Sequence, residues 1–157
     1  MRLTFELLVR KHFLDQRRQD DGEEMARKVF DLRKVDLGNC RIAVIENLEC
    51  LGRVVTLCLQ CNRIRVIQDL ESLVHLRLLV LSDNHIEEIP DLRALRSLLS
   101  LDLARNRIAR LAICSILLPP ALAFLTLDGN PCADGTPDYR YELPGSQISL
   151  SFGLWTI

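Results

Sequence analysis

Leu32, Val54, Leu76 and Leu98 follow one another at intervals of 22 residues, and each opens the same run of apolar positions. A fixed period of this length dictates a stack of like units, so it constrains the fold more than any other feature of the chain. The unit opened by Leu76 continues with Leu79, Leu81, Ile86, Ile89, Leu92 and Leu95. The unit before it carries Val54, Leu57, Leu59, Ile64, Ile67, Leu70 and Leu73, and the first carries Leu32, Val35, Leu37, Ile42, Ile45, Leu48 and Leu51. The fourth unit (Leu98, Leu101, Leu103, Ile108, Leu111, Cys114, Leu117) is two residues longer, with Pro119-Pro120 in the added space. A fifth begins at Leu122, with Leu125 and Leu127. Asparagine recurs at one offset, as Asn62, Asn84, Asn106 and Asn130, and Cys40 takes that place in the first unit.

The spacing predicts the local structure. Leu79 and Leu81 are two apart and point to one face of a short strand. Ile86, Ile89, Leu92 and Leu95 are three apart, which suits a 3₁₀ or short helical return. One unit cannot close the core between these segments alone. Stacking buries it, with neighbouring strands about 4.8 Å apart. The recurrent Asn side chains are expected to be structural, satisfying backbone groups where the chain leaves the strand. The expected organisation is a helical N-terminal cap over 1–31, repeats over 32–130, and a curtailed C-terminal cap or tail over 131–157. In the N-terminal cap, Thr4 can cap a helix in which Phe5, Leu8, Val9 and Phe13 recur at helical spacing. Gln16 to Gly22 is a polar break, and Glu23 to Phe30 can turn Met25, Val29 and Phe30 towards the first repeat.

Composition narrows the chemistry. Hydrophobic residues make up 48% of the 157, enough for a core. The formal net charge of -1 gives no long-range pull on nucleic acid or anionic membrane. The most apolar late stretch meets Pro119-Pro120 eight residues after Leu111, short of the ~20 needed to span a bilayer. The N-terminus does not read as a secretory signal, so the six cysteines are expected to be thiols in a reducing, cytoplasmic setting. Cys58-x-x-Cys61 looks like a redox motif, but three extended steps separate its Cα atoms by roughly 10 Å, too far for a disulfide. No phosphate loop, zinc-protease helix or nucleophile elbow appears. His12, His75 and His85 form no metal spacing. The expectation is a non-enzyme with no cofactor and no small-molecule substrate.

Two surfaces remain for binding. The outward strand positions are Lys34, Asp36, Thr56, Cys58, Leu78, Val80, Ser100, Asp102, Phe124 and Thr126. Leu78 and Val80 are apolar where solvent is expected, and an apolar patch rimmed by charge marks a protein interface. The second surface is the column Arg41, Arg63, His85 and Arg107. It reads either as a solvated row neutralised by Glu46, Asp83, Glu87 and Glu88, or as a docking strip for an acidic partner such as a tubulin tail or an acidic helix. No aromatic residues interleave with these arginines, which argues against nucleic acid.

The units, written Leu-x-x-Leu-x-Leu-x-x-Asn-x-Ile-x-x-Ile-x-x-Leu, resemble the short-repeat intracellular class of leucine-rich-repeat proteins. That class includes the nuclear regulatory subunit of protein phosphatase 1 and the axonemal light chain of outer-arm dynein. Three strings look most similar to leucine-rich-repeat-containing proteins of motile cilia and sperm flagella. One is the Leu3-Thr4-x-x-Leu7-Leu8-x-x-Lys11 start with its acidic turn at Asp20–Glu24. Another is Asn47-Leu48-Glu49-x-Leu51. The last is Leu118-Pro119-Pro120-x-Leu122, with Gly129-Asn130-Pro131 and Tyr139-Arg140 beyond it. The resemblance implies an α/β leucine-rich-repeat solenoid of about five repeats, with short parallel strands on a concave face and a 3₁₀ or helical convex face. It implies a non-catalytic interaction scaffold in the cytoplasm, cilium or flagellum, with an axonemal or cytoskeletal protein partner. The alternative is a regulatory subunit of an enzyme such as protein phosphatase 1. The chain departs from the family at Leu143-Pro144-Gly145, which follows Tyr139-Arg140 too closely for the usual longer cap.

Overall fold

The computed structural model describes residues 2–13, 22–110, 117–133 and 149–151. The core positions Leu111 and Cys114, most of the polar break, and the Tyr139-Arg140 and Leu143-Pro144-Gly145 strings lie outside them. Two helices precede the repeats: α1 at Phe5–His12 and α2 at Gly22–Phe30. Thr4 caps α1, its hydroxyl accepting from the Leu7 N–H at 3.2 Å. Glu6 in the first turn and Arg10, Lys11 and His12 in the last complement the helix dipole.

The buried side of the cap is made by Leu3, Leu7, Leu8, Val9, Met25 and Val29. Two aromatic residues of the helices are only partly covered. Phe5 is 41% exposed. Phe30 lies along the surface, its ring against Gly52 and beneath the Arg53 guanidinium, 5.6 Å from the ring centroid. The cap is tied to the first repeat by polar contacts as well. Asn47 Nδ2 donates to the Leu3 carbonyl at 2.8 Å, and Lys11 Nζ to the Gly38 carbonyl at 3.5 Å.

The repeats contribute the strands β1 (Lys34–Asp36), β2 (Thr56–Cys58), β3 (Leu78–Val80), β4 (Ser100–Asp102) and β5 (Phe124–Thr126). A sixth strand, β6 (Ser149–Ser151), comes from the tail and continues the sheet. All neighbours are parallel, in chain order. The expected leucine-rich-repeat solenoid is therefore present, and it recruits one strand from beyond the recognisable repeats.

Each return is built from single turns. In the return of the second repeat the Leu73 N–H donates to the Leu70 carbonyl, and the Leu76 N–H that opens the third repeat donates to the Leu73 carbonyl, both at 3.0 Å. These three-residue bonds match the three-residue leucine spacing. They do not propagate into a helix, because the next residue begins the approach to β3. Val35, Leu57, Leu79, Leu101 and Leu125, the middle residues of β1 to β5, are all buried.

The position just before each ladder residue has a left-handed backbone. Asn39, Cys61, Asp83 and Arg105 have φ of 57°, 56°, 55° and 52°, and Gly129 has 67°. The chain must turn sharply there to leave the strand. Only Gly129 does so without a side-chain penalty, and a Cβ at that position would stand 3.0 Å from Arg105 Cγ. Gly129→Ala is expected to cost about 1–2 kcal/mol. A urea unfolding midpoint unchanged from wild type would show that the turn does not need glycine.

Candidate docking face

The asparagine ladder holds the strand exits in place. Asn62 Oδ1 accepts from the Cys40 and Ile42 amides at 3.1 and 2.9 Å, while Nδ2 donates to the carbonyls of Leu37 and Leu59, both at 2.9 Å. Asn84, Asn106 and Asn130 repeat the scheme, each joining its own repeat to the one before. All four are buried. Cys40 serves in the first repeat with a weaker bond, its thiol donating to the Gly38 carbonyl at 3.4 Å. No earlier repeat offers it a carbonyl to bridge.

With the exits held, the register sets the outward residues in two columns. Lys34, Thr56, Leu78, Ser100 and Phe124 are mutual neighbours, and so are Asp36, Cys58, Val80, Asp102 and Thr126. Lys34, Asp36 and Phe124 are exposed, and Phe124 is 58% exposed; the others are half-buried. Leu78 and Val80 therefore form an apolar centre in the middle strand. Two of the acidic groups also serve the backbone. Asp36 Oδ1 accepts from the Gly38 amide and Asp102 Oδ1 from the Ala104 amide, both at 3.0 Å.

His12 takes a place that its sequence position does not announce. It is half-buried, and its Nε2 accepts the Asp36 N–H at 3.3 Å. Burial lowers its pKa, against the opposing pull of Asp36. The helix C-terminus thus supports the first strand. Among the described residues no cluster of His, Cys, Asp or Glu could hold a metal ion, and no helix is long and apolar enough to cross a membrane.

Cys40, Cys50, Cys58, Cys61 and Cys132 are free thiols. Burial raises the Cys58 pKa, with Asp36 adding to the shift, which disfavours the thiolate that redox chemistry needs.

The column Arg41, Arg63, His85 and Arg107 runs beside the ladder, aligned by backbone bonds such as Arg63 N–H to the Ile42 carbonyl at 2.7 Å and His85 N–H to the Ile64 carbonyl at 2.8 Å. Two of the carboxylates expected to neutralise it face other arginines. Asp83 takes a two-pronged contact from Arg105, both bonds 2.5 Å, and these bonds lower its pKa. Glu46 stands 3.7 Å from Arg2.

A further group was missed in the sequence. Arg33, Arg53, His75 and Arg77 line a depression of about 400 Å³ with Val55 and Ser97, on the side where the chain enters the strands. The signal was present, since Arg33 and Arg77 share one offset of the repeat and Arg53 and His75 another.

No family model matches the chain, and no curated protein matches it. Solved structures do. Internalin C2 of Listeria monocytogenes superposes with a TM-score of 0.63 at 23% identity, covering 86% of this chain and 57% of the internalin. A leucine-rich-repeat protein of Leptospira interrogans superposes with a TM-score of 0.65 at 23% identity, covering 85% of this chain and 34% of its own. A chain of the SNF/U2A′ complex of Drosophila melanogaster gives a TM-score of 0.70 at 27% identity, covering 96% of this chain and 83% of that one. The chain thus spans little more than half of the internalin and a third of the Leptospira protein. The likeness establishes the leucine-rich-repeat fold.

Proposed function

We propose that this leucine-rich-repeat solenoid docks a partner protein on its outward strand face and serves as a structural or assembly component of motile cilia or sperm flagella. The observation that carries the docking reading is the pair of aligned outward columns, with Leu78 and Val80 at their centre and polar groups on either side. Apolar anchors with polar margins are where binding energy concentrates. Each strand offers two outward residues, so the strip is narrow and suits one extended segment or one helix.

The ciliary reading is supported by the strings Leu3-Thr4-x-x-Leu7-Leu8, Asn47-Leu48-Glu49 and Leu118-Pro119-Pro120. It implies a cytoplasmic location and an axonemal or cytoskeletal partner. A regulatory role towards protein phosphatase 1 finds less support. The acidic and aromatic groups on this face are Asp36, Asp102 and Phe124, spread from β1 to β5.

Val80→Glu tests the docking face. The substitution is expected to weaken the partner by about 2 kcal/mol or more. It should scarcely alter stability, because Val80 faces away from the buried Leu79 and Leu81. Affinity purification of tagged wild type and variant from ciliated tissue reads this out. Axonemal proteins should co-purify with wild type and fall away with the variant. A stoichiometric phosphatase would replace the ciliary reading, and an unchanged partner set in a folded variant would remove the docking face.

A further inference from the structure

We infer that the strand-entry edge of the sheet is a carboxylate-binding site, receiving an acidic segment of the docked partner. This rests on the reading of the outward strand face as the docking surface, and it names the chemistry of what lies there. Arg33, Arg53, His75 and Arg77 open onto one depression of about 400 Å³. The chain carries a net charge of only -1, so this concentration of cations is local and does not follow from composition.

The backbone under the cluster is fixed. The Arg33 carbonyl accepts from the Val55 and Thr56 amides at 2.8 and 3.0 Å, and the Arg77 carbonyl from the Leu99 and Ser100 amides at 2.9 and 3.0 Å. The Arg77 N–H donates to the Val55 carbonyl at 2.8 Å. Val55 thus stands between the two arginines, one strand spacing from each, and their Cα atoms are about 10 Å apart.

Arg53 is steadied by the Asp31 carboxylate at 2.8 Å and by the Phe30 ring. Among the described residues Asp31 is the one carboxylate ion-paired with these four side chains; Arg33, His75 and Arg77 have none. Charge spread over two strand spacings suits a row of carboxylates better than a single phosphate. Guanidinium groups also match carboxylates in geometry, each offering a fork of donors.

The opposite edge is mixed in sign, with the Arg41, Arg63 and Arg107 column beside the ladder and Arg105 paired to Asp83. Asp36 and Asp102 end β1 and β4, and Asp83 lies just beyond β3. Along the outward residues of the strands, the cations thus lie at the entry and the carboxylates Asp36 and Asp102 at the ends, with Leu78 and Val80 between. A nucleic acid lying across it would set phosphates against those carboxylates. A peptide that is acidic over the entry edge and apolar over Leu78 and Val80 meets no such repulsion.

The test is fluorescence anisotropy with a labelled oligo-glutamate peptide and the full chain. Binding should saturate and weaken as salt rises. Arg33→Glu with Arg77→Glu should reduce affinity about tenfold or more. Arg63→Glu with Arg107→Glu, of equal charge change on the exit side, should leave it within about twofold. Thermal unfolding of both variants confirms that they are folded.

No saturable binding by wild type would overturn the inference. So would equal losses in both variants, which would mean a response to net charge alone, or a loss confined to the Arg63/Arg107 variant. A labelled oligouridylate that binds more tightly than oligo-glutamate, and is weakened by the Arg33/Arg77 variant, would also overturn it in favour of nucleic acid. The docking face is judged separately by partner capture. A partner lost by Val80→Glu but retained by the Arg33/Arg77 variant removes the acidic segment and leaves the docking face standing.

Discussion

Leu81→Asp should abolish cooperative folding or lower stability by several kcal/mol. Leu81 is fully buried just past β3, at the same repeat position as the fully buried Leu59 and Leu103. A carboxylate there loses its hydration and gains no cation, and several kcal/mol is comparable with the whole stability of a domain this size. The apolar exchange Leu81→Met controls for volume and should cost less than about 1.5 kcal/mol. Urea or thermal unfolding followed by circular dichroism reads both variants. A wild-type transition for Leu81→Asp would mean that the strand faces are assigned the wrong way round.

Asn84→Ala is expected to cost about 2–3 kcal/mol, chiefly because the Ile64 amide is left buried and unpaired, while the Leu59, Leu81 and Ser82 carbonyls keep Asn62, Asn106 and the Cys61 amide as donors. Asn84 Oδ1 accepts the Ile64 amide at 3.0 Å, and Nδ2 donates to the carbonyls of Leu59 and Leu81 at 3.0 Å and of Ser82 at 3.2 Å. Alanine replaces none of these bonds. Cys40→Ala provides the contrast, since its thiol makes one weak bond and bridges no earlier repeat. That substitution should cost under about 1.5 kcal/mol. Equal losses at the two positions in chemical denaturation would show that the bridging bonds contribute nothing special.

The repeat register was legible because it is stated many times over. Each of Leu57, Leu79 and Leu101 is identified by its own spacing and by the two units beside it, and the sheet pairs them as the offsets require. The members of the docking face could be named for the same reason, since alternation on a strand leaves them only one direction to point. The ends were harder. Phe5 and Phe30 fit a helical pattern, yet they stay 41% and 46% exposed at the rim of the cap, while Leu3, Leu7, Leu8, Val9, Met25 and Val29 are buried. The β6 strand carries no repeat signature that identifies it, and pairs with β5 all the same.

From residue order alone, the chain determined which side chains are neighbours across repeats. A constant offset of 22 residues becomes, on stacking, a constant lateral step of one strand spacing, so periodicity and adjacency are the same information. The tertiary structure alone decided what breaks that period. It placed His12 against the Asp36 amide, matched Asp83 with Arg105 ahead of the neighbouring arginine column, and gathered Arg33, Arg53, His75 and Arg77 around one depression. Those outcomes depend on the reach and direction of long polar side chains and on how the cap sits on the first repeat. A linear pattern constrains these weakly, because many arrangements of exposed charge satisfy the same core.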